Sequence, residues 1–406
     1  MANYDPSTVA AALKEKYDGQ ETFDDNYRKS PLVAMMKKNE DYGGKAYPVP
    51  ILTAASSGVS PDFVTAQTNQ YPALQSEFMV TTASGFAVAT ISELLMRTAQ
   101  KAPDTFMNQV DVLMEQARKS LQDLMGNGIY GTGTGTLAQF TSHSTATLTL
   151  ANPGDAFRFS FNQGVQAAAT DGGTPRAASG FVVGLDLING TVTVSTTQGG
   201  APALPSGWSD NDYLMLGGSS NAQMYGLGRW IPTPTFLAAN PSLWGVTYSA
   251  DPRRRGVYLD GTGRSIKEAL TTAIVTMGRF GADIDYVSVS HDTYGALLNE
   301  MGAREVIVEA KAPSGADISF AALEIIAGRS RAKIVPDQYC TPKSAYLLQM
   351  NTWELLSAGA APSIFQQDGN IMLRVSNSPA YEVRMGYFAN PICKAPIYNG
   401  VVALDV

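Results

Sequence analysis

Side chains that could do chemistry are few and scattered. The two histidines, His143 and His291, have no Cys, His, Asp or Glu partner at a metal-ligand spacing. His291 stands beside Asp292 just ahead of a helical pattern, where capping or packing is the expected role. No Gly-x-Ser-x-Gly elbow presents a nucleophile, and no His-Glu-x-x-His pair holds a zinc ion. Cys340 and Cys393 do not make a disulfide framework; they read as structural thiols and fit a reducing compartment. Gly131-Thr-Gly-Thr-Gly135 follows a helix rather than a strand, so it is no dinucleotide fingerprint. Asp260-Gly-Thr-Gly-Arg-Ser265 runs into a helix N-terminus, whose amides can hold a phosphate. It lacks the Gly-Lys-Ser/Thr ending of a P-loop, and a helix-entry turn is the simpler reading. The one basic cluster, Arg253-Arg254-Arg255, reads as a solvated loop, or as cations facing another subunit's carboxylates or an enclosed polyanion. No catalytic residue, metal site or cofactor is expected.

The elements around these residues are more informative. A long helix is expected from about Asp104 to Met125. Phe106, Val110, Leu113, Ala117, Leu121 and Leu124 recur at steps of three and four, one stripe of a 3.6-residue helix. Pro103 and Asp104 open it, and Gly126-Asn127-Gly128 offers a C-cap. Ahead of it, Ser7–Tyr17 can form a short helix, and residues 18–42 are irregular with an apolar patch from Pro31 to Met36. That stretch reads as an arm lying on something else. Tyr47 to Leu52 and Glu77 to Thr90 read as two strands of a long hairpin around a polar tip, Ala54–Gln70, with too little core to stand alone. Ile91–Gln100 reads as a short amphipathic helix.

Beyond the flexible link Gly131–Gly135, residues 138–228 are poor in charge, lack lysine and are rich in Thr, Ser, Gly and Val. Strands are expected at Ala146–Leu150, Ala156–Phe161, Gly180–Ile188, Thr191–Ser195 and Asp212–Leu216, with Asn189-Gly190 as a hairpin turn. The stretch reads as a small all-β insertion. From Ser265, where Ser265-Ile-Lys-Glu268 is a capping box, the pattern turns α/β. Helices are expected near 266–277 and 292–301. Strands are expected at Tyr286–Ser290, Val306–Val308, Lys333–Val335, Ala345–Met350, Ile371–Val375 and Tyr381–Tyr387; Phe320–Ala327 reads as a short helix or an extended run.

The chain has 406 residues, 44% of them hydrophobic and only 16% charged, with 38 glycines. The charged share is below the usual ~25%, which points to large protein–protein contacts. A net charge of −7 excludes a general nucleic-acid binder. The N-terminal residues show no signal core, and no apolar run is long enough to span a membrane.

Core, arm, long hairpin and missing active site point to an assembly subunit. Their order resembles the Hong Kong 97-type major capsid protein of tailed bacteriophages. The local matches are the helix ending MGNGIYGTGTG, the segment DPRRRGVYLDGTGRSIKEAL and the ending YEVRMGYFANPICKAPIYNG. The resemblance implies an α+β fold divided as 1–42 N-terminal arm, 43–90 extended loop, 91–137 peripheral domain with spine helix, 138–228 β-rich insertion, 229–262 linker, 263–370 axial domain, and 371–406 strands returning to the peripheral domain. It implies hexamers and pentamers in an icosahedral head, built in the host cytoplasm around double-stranded DNA held without sequence specificity. Scaffolding, portal and cement proteins would be its other partners, with no membrane and no cofactor. The family's long N-terminal scaffold segment has no counterpart here, so a separate scaffold, or earlier removal of that segment, is expected. Two other readings compete: an encapsulin-type shell around cargo enzymes, and an α/β enzyme using the Gly-Thr-Gly turn before Ser265 for a phosphorylated substrate.

Overall fold

The structure is a computed structural model. It describes residues 30–54, 58–71, 74–93, 103–249, 251–301, 307–311, 319–366, 369–376 and 378–405, with the backbone alone at 52–54, 74, 103–113, 301, 307–311 and 319–322. The expected helix Ser7–Tyr17 and the arm up to residue 29 lie outside the described residues.

Pro31–Met35 form a one-turn helix (α1) and Lys37–Asn39 a short strand (β1). Leu32, Val33, Ala34 and Met36 are buried in the chain's own main core. The apolar patch from Pro31 to Met36 was expected to lie on something else; instead, four adjacent apolar side chains find a complete pocket at home.

Tyr47–Ala54 (β2) and Leu74–Val80 (β3) form an antiparallel ladder with Tyr47 opposite Val80. Val49, Ile51, Phe78 and Val80 are buried, while Pro48 and Pro50, opposite Met79 and Glu77, are exposed. The tip carries Phe63–Thr68 (α2), capped by Asp62, whose carboxylate accepts the Thr65 N–H at 2.9 Å. The strand expected from Glu77 to Thr90 is broken. The carbonyl of Thr81 is held by the Asn390 side-chain amide at 2.7 Å, and Ala83–Ser92 (β4) joins a different sheet. Ile91 and Ser92 close β4 instead of opening the expected helix, whose remainder from 94 to 100 lies outside the described residues.

The long helix (α3) runs Pro103–Tyr130. Met114, Leu121, Met125 and Ile129 are buried on its stripe, and Ala117 and Leu124 are partly buried against the same core. The side chains of Phe106, Val110 and Leu113 lie outside the described residues. The helix runs through Gly126-Asn127-Gly128 instead of stopping there. Gly126 serves close packing: a Cβ on it would fall 2.5 Å from the Tyr339 ring. The glycines that follow do not form a flexible link either. Gly133 and Gly135 are buried at positive φ, and a Cβ on Gly135 would meet the Ser219 carbonyl at 2.2 Å.

Thr136–Ser144 (β5), Thr147–Leu150 (β6), Gly164–Ala168 (β7), Pro175–Asp186 (β8), Thr191–Ser195 (β9) and Tyr213–Leu216 (β10) close into a barrel, in the order β10-β5-β6-β9-β8-β7. Phe140, Leu148, Val182, Val192, Val194 and Leu214 fill it with Trp208, whose indole N–H donates to the Ala178 carbonyl at 3.0 Å. The strand expected at Ala156–Phe161 is a 3₁₀ turn, Pro153–Arg158, because Pro153 sets φ and has no N–H to give a ladder. Leu227–Trp230 (α4), Pro234–Ala239 (α5), Ser242–Leu243 (β11) and Val246–Thr247 (β12) then lead to Val257–Asp260 (β13).

The rest is Ile266–Arg279 (α6), Tyr286–Val289 (β14), His291–Met301 (α7), Ile307–Lys311 (β15), Ser319–Ala327 (β16), Ser330–Pro336 (β17), Ser344–Leu348 (β18), Trp353–Ser357 (β19), Ser363–Ile364 (β20), Met372–Arg374 (β21), Ala380–Cys393 (β22) and Gly400–Ala403 (β23). A mixed seven-stranded sheet runs β13-β23-β18-β14-β17-β16-β15. Val287 and Val289 on its central strand face the core under α6 and α7, and Tyr286 on the other face joins the main core. The second sheet, β1-β19-β22-β20 with β4 and β21 also on β22, packs against α3. The chain thus weaves between sheets. β19 and β20, expected in the axial region, lie on the spine sheet. The last strand does not return to the peripheral region as expected: β23 inserts between β13 and β18, because Val401 and Val402 each need a buried side, one in each core.

Candidate assembly surfaces

The places where the sequence allowed chemistry are used for structure. The helix N-terminus after Asp260–Ser265 is already filled: the Glu300 carboxylate accepts the N–H groups of Ile266 at 3.0 Å and Lys267 at 3.4 Å, and Ser265 Oγ accepts that of Glu268 at 3.3 Å. Asp260 is tied to Thr262, whose hydroxyl and amide hold its carboxyl below the usual aspartate value. A phosphate there would displace one carboxylate and face another. His143 Nδ1 lies 2.6 Å from an Asp210 carboxylate oxygen on the barrel. The helix beginning at His291 is capped by Ser290, whose Oγ accepts the Thr293 N–H at 3.2 Å. Cys340 and Cys393 are buried free thiols; burial pushes Cys393 up to about 12 and Cys340 well above the ordinary thiol value, which disfavours the thiolate. Among the described residues no group of three or more His, Cys, Asp or Glu could hold a metal ion, and no helix is long and apolar enough to cross a membrane.

Arg253–Arg255 are not equally exposed. Arg254 donates to the Thr247 carbonyl at 2.9 Å and lies 3.9 Å from Asp251; it and Arg255 are half-buried, each with a buried Nε, and Arg253 is exposed.

Two buried carboxylates fasten the start of the described chain. Asp337 accepts Ser30 Oγ–H at 3.0 Å and the Tyr339 N–H at 2.9 Å. It therefore serves the N-terminus of α1, whose own Ser30 makes no side-chain cap. Burial pushes its carboxyl above the usual aspartate value despite these donors. Glu354 on β19 takes Lys394 Nζ at 2.6 Å and Asn39 Nδ2 at 3.2 Å, with Lys37 at 3.6 Å. Neither carboxylate was singled out in the sequence, because their partners come from distant segments.

The hairpin has two unlike ends. Its root is inside the chain: Phe78 is fully buried and meets Trp230 edge-to-face at 5.2 Å. Its tip is not, with Val59 91%, Phe63 77%, Val64 67% and Tyr71 71% exposed. So many large apolar side chains on one lever in water mark a contact surface.

No family model and no curated protein matches the sequence. Solved structures do. The capsid asymmetric unit of cyanophage A-1(L) is 8% identical, covers 92% of each chain and superposes with a TM-score of 0.51. The capsid of an empty GTA particle is 5% identical over 93% of this chain and 90% of its own, at 0.47. The holo-SrpI encapsulin complex from Synechococcus elongatus is 7% identical over 92% and 87%, at 0.43. The cyanophage superposition gives the class of architecture: the chain has the α+β Hong Kong 97-type capsid fold, here with a closed barrel built into it.

Proposed function

We propose that the chain is the major capsid protein of a tailed bacteriophage, a structural subunit that assembles into hexamers and pentamers of an icosahedral head enclosing double-stranded DNA. The observation that carries this reading is the superposition on a phage capsid subunit along 92% of both chains. The exposed apolar tip supports it from this chain's own residues. In this reading the hairpin is the extended loop, α3 with its sheet the peripheral domain, the seven-stranded sheet the axial domain, and the lysine-free barrel an outward module. In this reading the head is built in the host cytoplasm, with scaffolding, portal and cement proteins as partners. Arg253, exposed on its loop, is the member of the arginine triplet placed to meet a neighbour's carboxylate or the packaged polyanion.

Electron microscopy of the purified protein tests the proposal. Closed icosahedral shells are expected, and nuclease-protected DNA in particles from cells separates a phage head from a compartment filled with protein cargo. A small discrete oligomer that never closes would overturn it.

A further inference from the structure

Three asparagine–glycine pairs occur in the chain, Asn127-Gly128, Asn189-Gly190 and Asn399-Gly400. Such a pair is chemically labile, because glycine has no Cβ to shield its amide nitrogen from the asparagine side chain before it. The fold treats the three differently. Asn399 is 0% exposed, and its amide is fully bonded. Its Nδ2 donates to Thr352 Oγ1 at 3.1 Å, the Ala395 carbonyl at 3.1 Å and Cys393 Sγ at 3.3 Å. Its Oδ1 accepts the Gln349 N–H at 2.9 Å and the Trp353 indole N–H at 2.8 Å. Asn127 is 9% exposed and lies within α3, where the Gly128 N–H belongs to the helix ladder.

Asn189 is exposed at the turn between β8 and β9, beside Ile188, which is 89% exposed. Among the described residues only Asp186 holds its side chain, with Nδ2 donating to Asp186 Oδ2 at 2.7 Å. Asp186 also accepts the backbone N–H groups of Ile188 and Asn189, each at 3.0 Å. Glycine is required after it. Gly190 has φ +63°, and a Cβ there would fall 2.3 Å from Pro153 Cα. The Gly190 carbonyl accepts the Leu150 N–H at 3.0 Å. The turn therefore keeps a labile pair where water and the asparagine side chain are both free to act.

We infer that Asn189 is a self-modification site, which loses its side-chain amide in the folded protein while Asn127 and Asn399 keep theirs. The Gly190 nitrogen attacks Asn189 Cγ and forms a C–N bond, and its proton passes through water to Nδ2. The Cγ–Nδ2 bond breaks, and ammonia departs to leave a cyclic imide. Water opens the imide to aspartate or isoaspartate, with no change of oxidation state. Each copy then gains a negative charge, and a carboxylate replaces the donor that faced Asp186. The isoaspartyl product also lengthens the backbone between residues 189 and 190, which moves Gly190 off Pro153 and away from the Leu150 N–H. The inference stands independently of the shell reading.

The test incubates the full-length protein, folded and in urea, at mildly alkaline pH and follows the peptides by mass spectrometry. In urea all three pairs should convert. In the folded chain the peptide holding Asn189 should gain the mass of an amide-to-acid change, with a more acidic species on isoelectric focusing. The two buried pairs react only through local opening, so they should lag by about tenfold or more. Asn189→Gln keeps an amide but needs a larger ring, so its peptide should stay unchanged. An unmodified Asn189 in the folded protein would overturn the site. So would conversion of Asn127 or Asn399 at the same rate, or the same mass gain in Asn189→Gln.

Discussion

The two ends of the hairpin should separate stability from assembly. Phe78→Ala removes a fully buried ring from the root. A buried Phe→Ala change costs about 3–5 kcal/mol, and the lost edge-to-face partner Trp230 places this site in the upper part of that range. Domains are stable by about 5–15 kcal/mol, so the variant should lose a large share of its stability. Phe63→Ser at the tip removes a ring that water already surrounds in the subunit, and its effect on subunit stability should stay within about 0.5 kcal/mol. Urea unfolding of unassembled subunits, followed by tryptophan fluorescence, reads the first quantity because Trp230 sits beside Phe78. Sedimentation at assembling concentrations reads the second. Phe78→Ala should lower the unfolding midpoint, and Phe63→Ser should keep the midpoint and lose the particles. If Phe63→Ser unfolds as early as Phe78→Ala, or Phe78→Ala matches the parent, the division into rooted base and free tip is wrong.

Other outcomes follow from single sites. Gly126→Ala should destabilise by about 1–3 kcal/mol through collision with Tyr339, although alanine is intrinsically favoured in a helix by about 1 kcal/mol; a stabilised variant in thermal melts would contradict the packing. Burial raises the Glu354 carboxyl, but hydrogen bonds from Lys394 and Asn39 and the charges of Lys394 and Lys37 outweigh it and hold it below the ordinary glutamate value. Its contribution is therefore present above the unfolded value near ~4.3 and lost as pH falls through the folded one. Asp337 has the opposite sign: burial raises it, so its contribution is fullest below the unfolded aspartate value near ~3.9 and falls as pH rises through the folded value. Denaturation midpoints across pH should show Glu354→Gln removing an acid-side loss and Asp337→Asn removing an acid-side gain; unchanged slopes would refute both assignments. The hairpin has only Lys45, at its base, and the next lysine is Lys101, so no tip lysine is available to form an isopeptide bond. Boiled particles should run as one band near 43.2 kDa, and a ladder resistant to heat and reductant would refute this.

The long helix was legible because its apolar stripe recurs at helical steps, and the barrel because Asn189-Gly190 and the charge-poor strands announce β structure. The end of the helix was not. Gly126-Asn127-Gly128 has the composition of a C-cap, and only Tyr339, from another part of the chain, decides that it is a packing seat. Gly133 and Gly135 look like a hinge for the same reason, until Ser219 is brought against them. Trp353–Ser357 escaped notice because all five residues are buried, which erases the alternation that identifies a half-exposed strand. The arm was misread at Pro31–Met36 because an apolar patch in sequence does not say whose core it fills. The hairpin was legible as a lever because two apolar strand patterns flank a polar stretch.

Pro48 and Pro50 on β2 bear on how orderly growth can be. Residues two apart on a strand direct their backbone groups to the same edge, and the ladder to β3 is made by the positions between them. The outer edge of β2 therefore offers no N–H at these two positions, where another strand would have to bond. A projecting two-stranded ribbon is otherwise a template for open-ended sheet growth. With this edge blocked, a neighbour can recognise the lever by its side chains but cannot extend it by its backbone along that side.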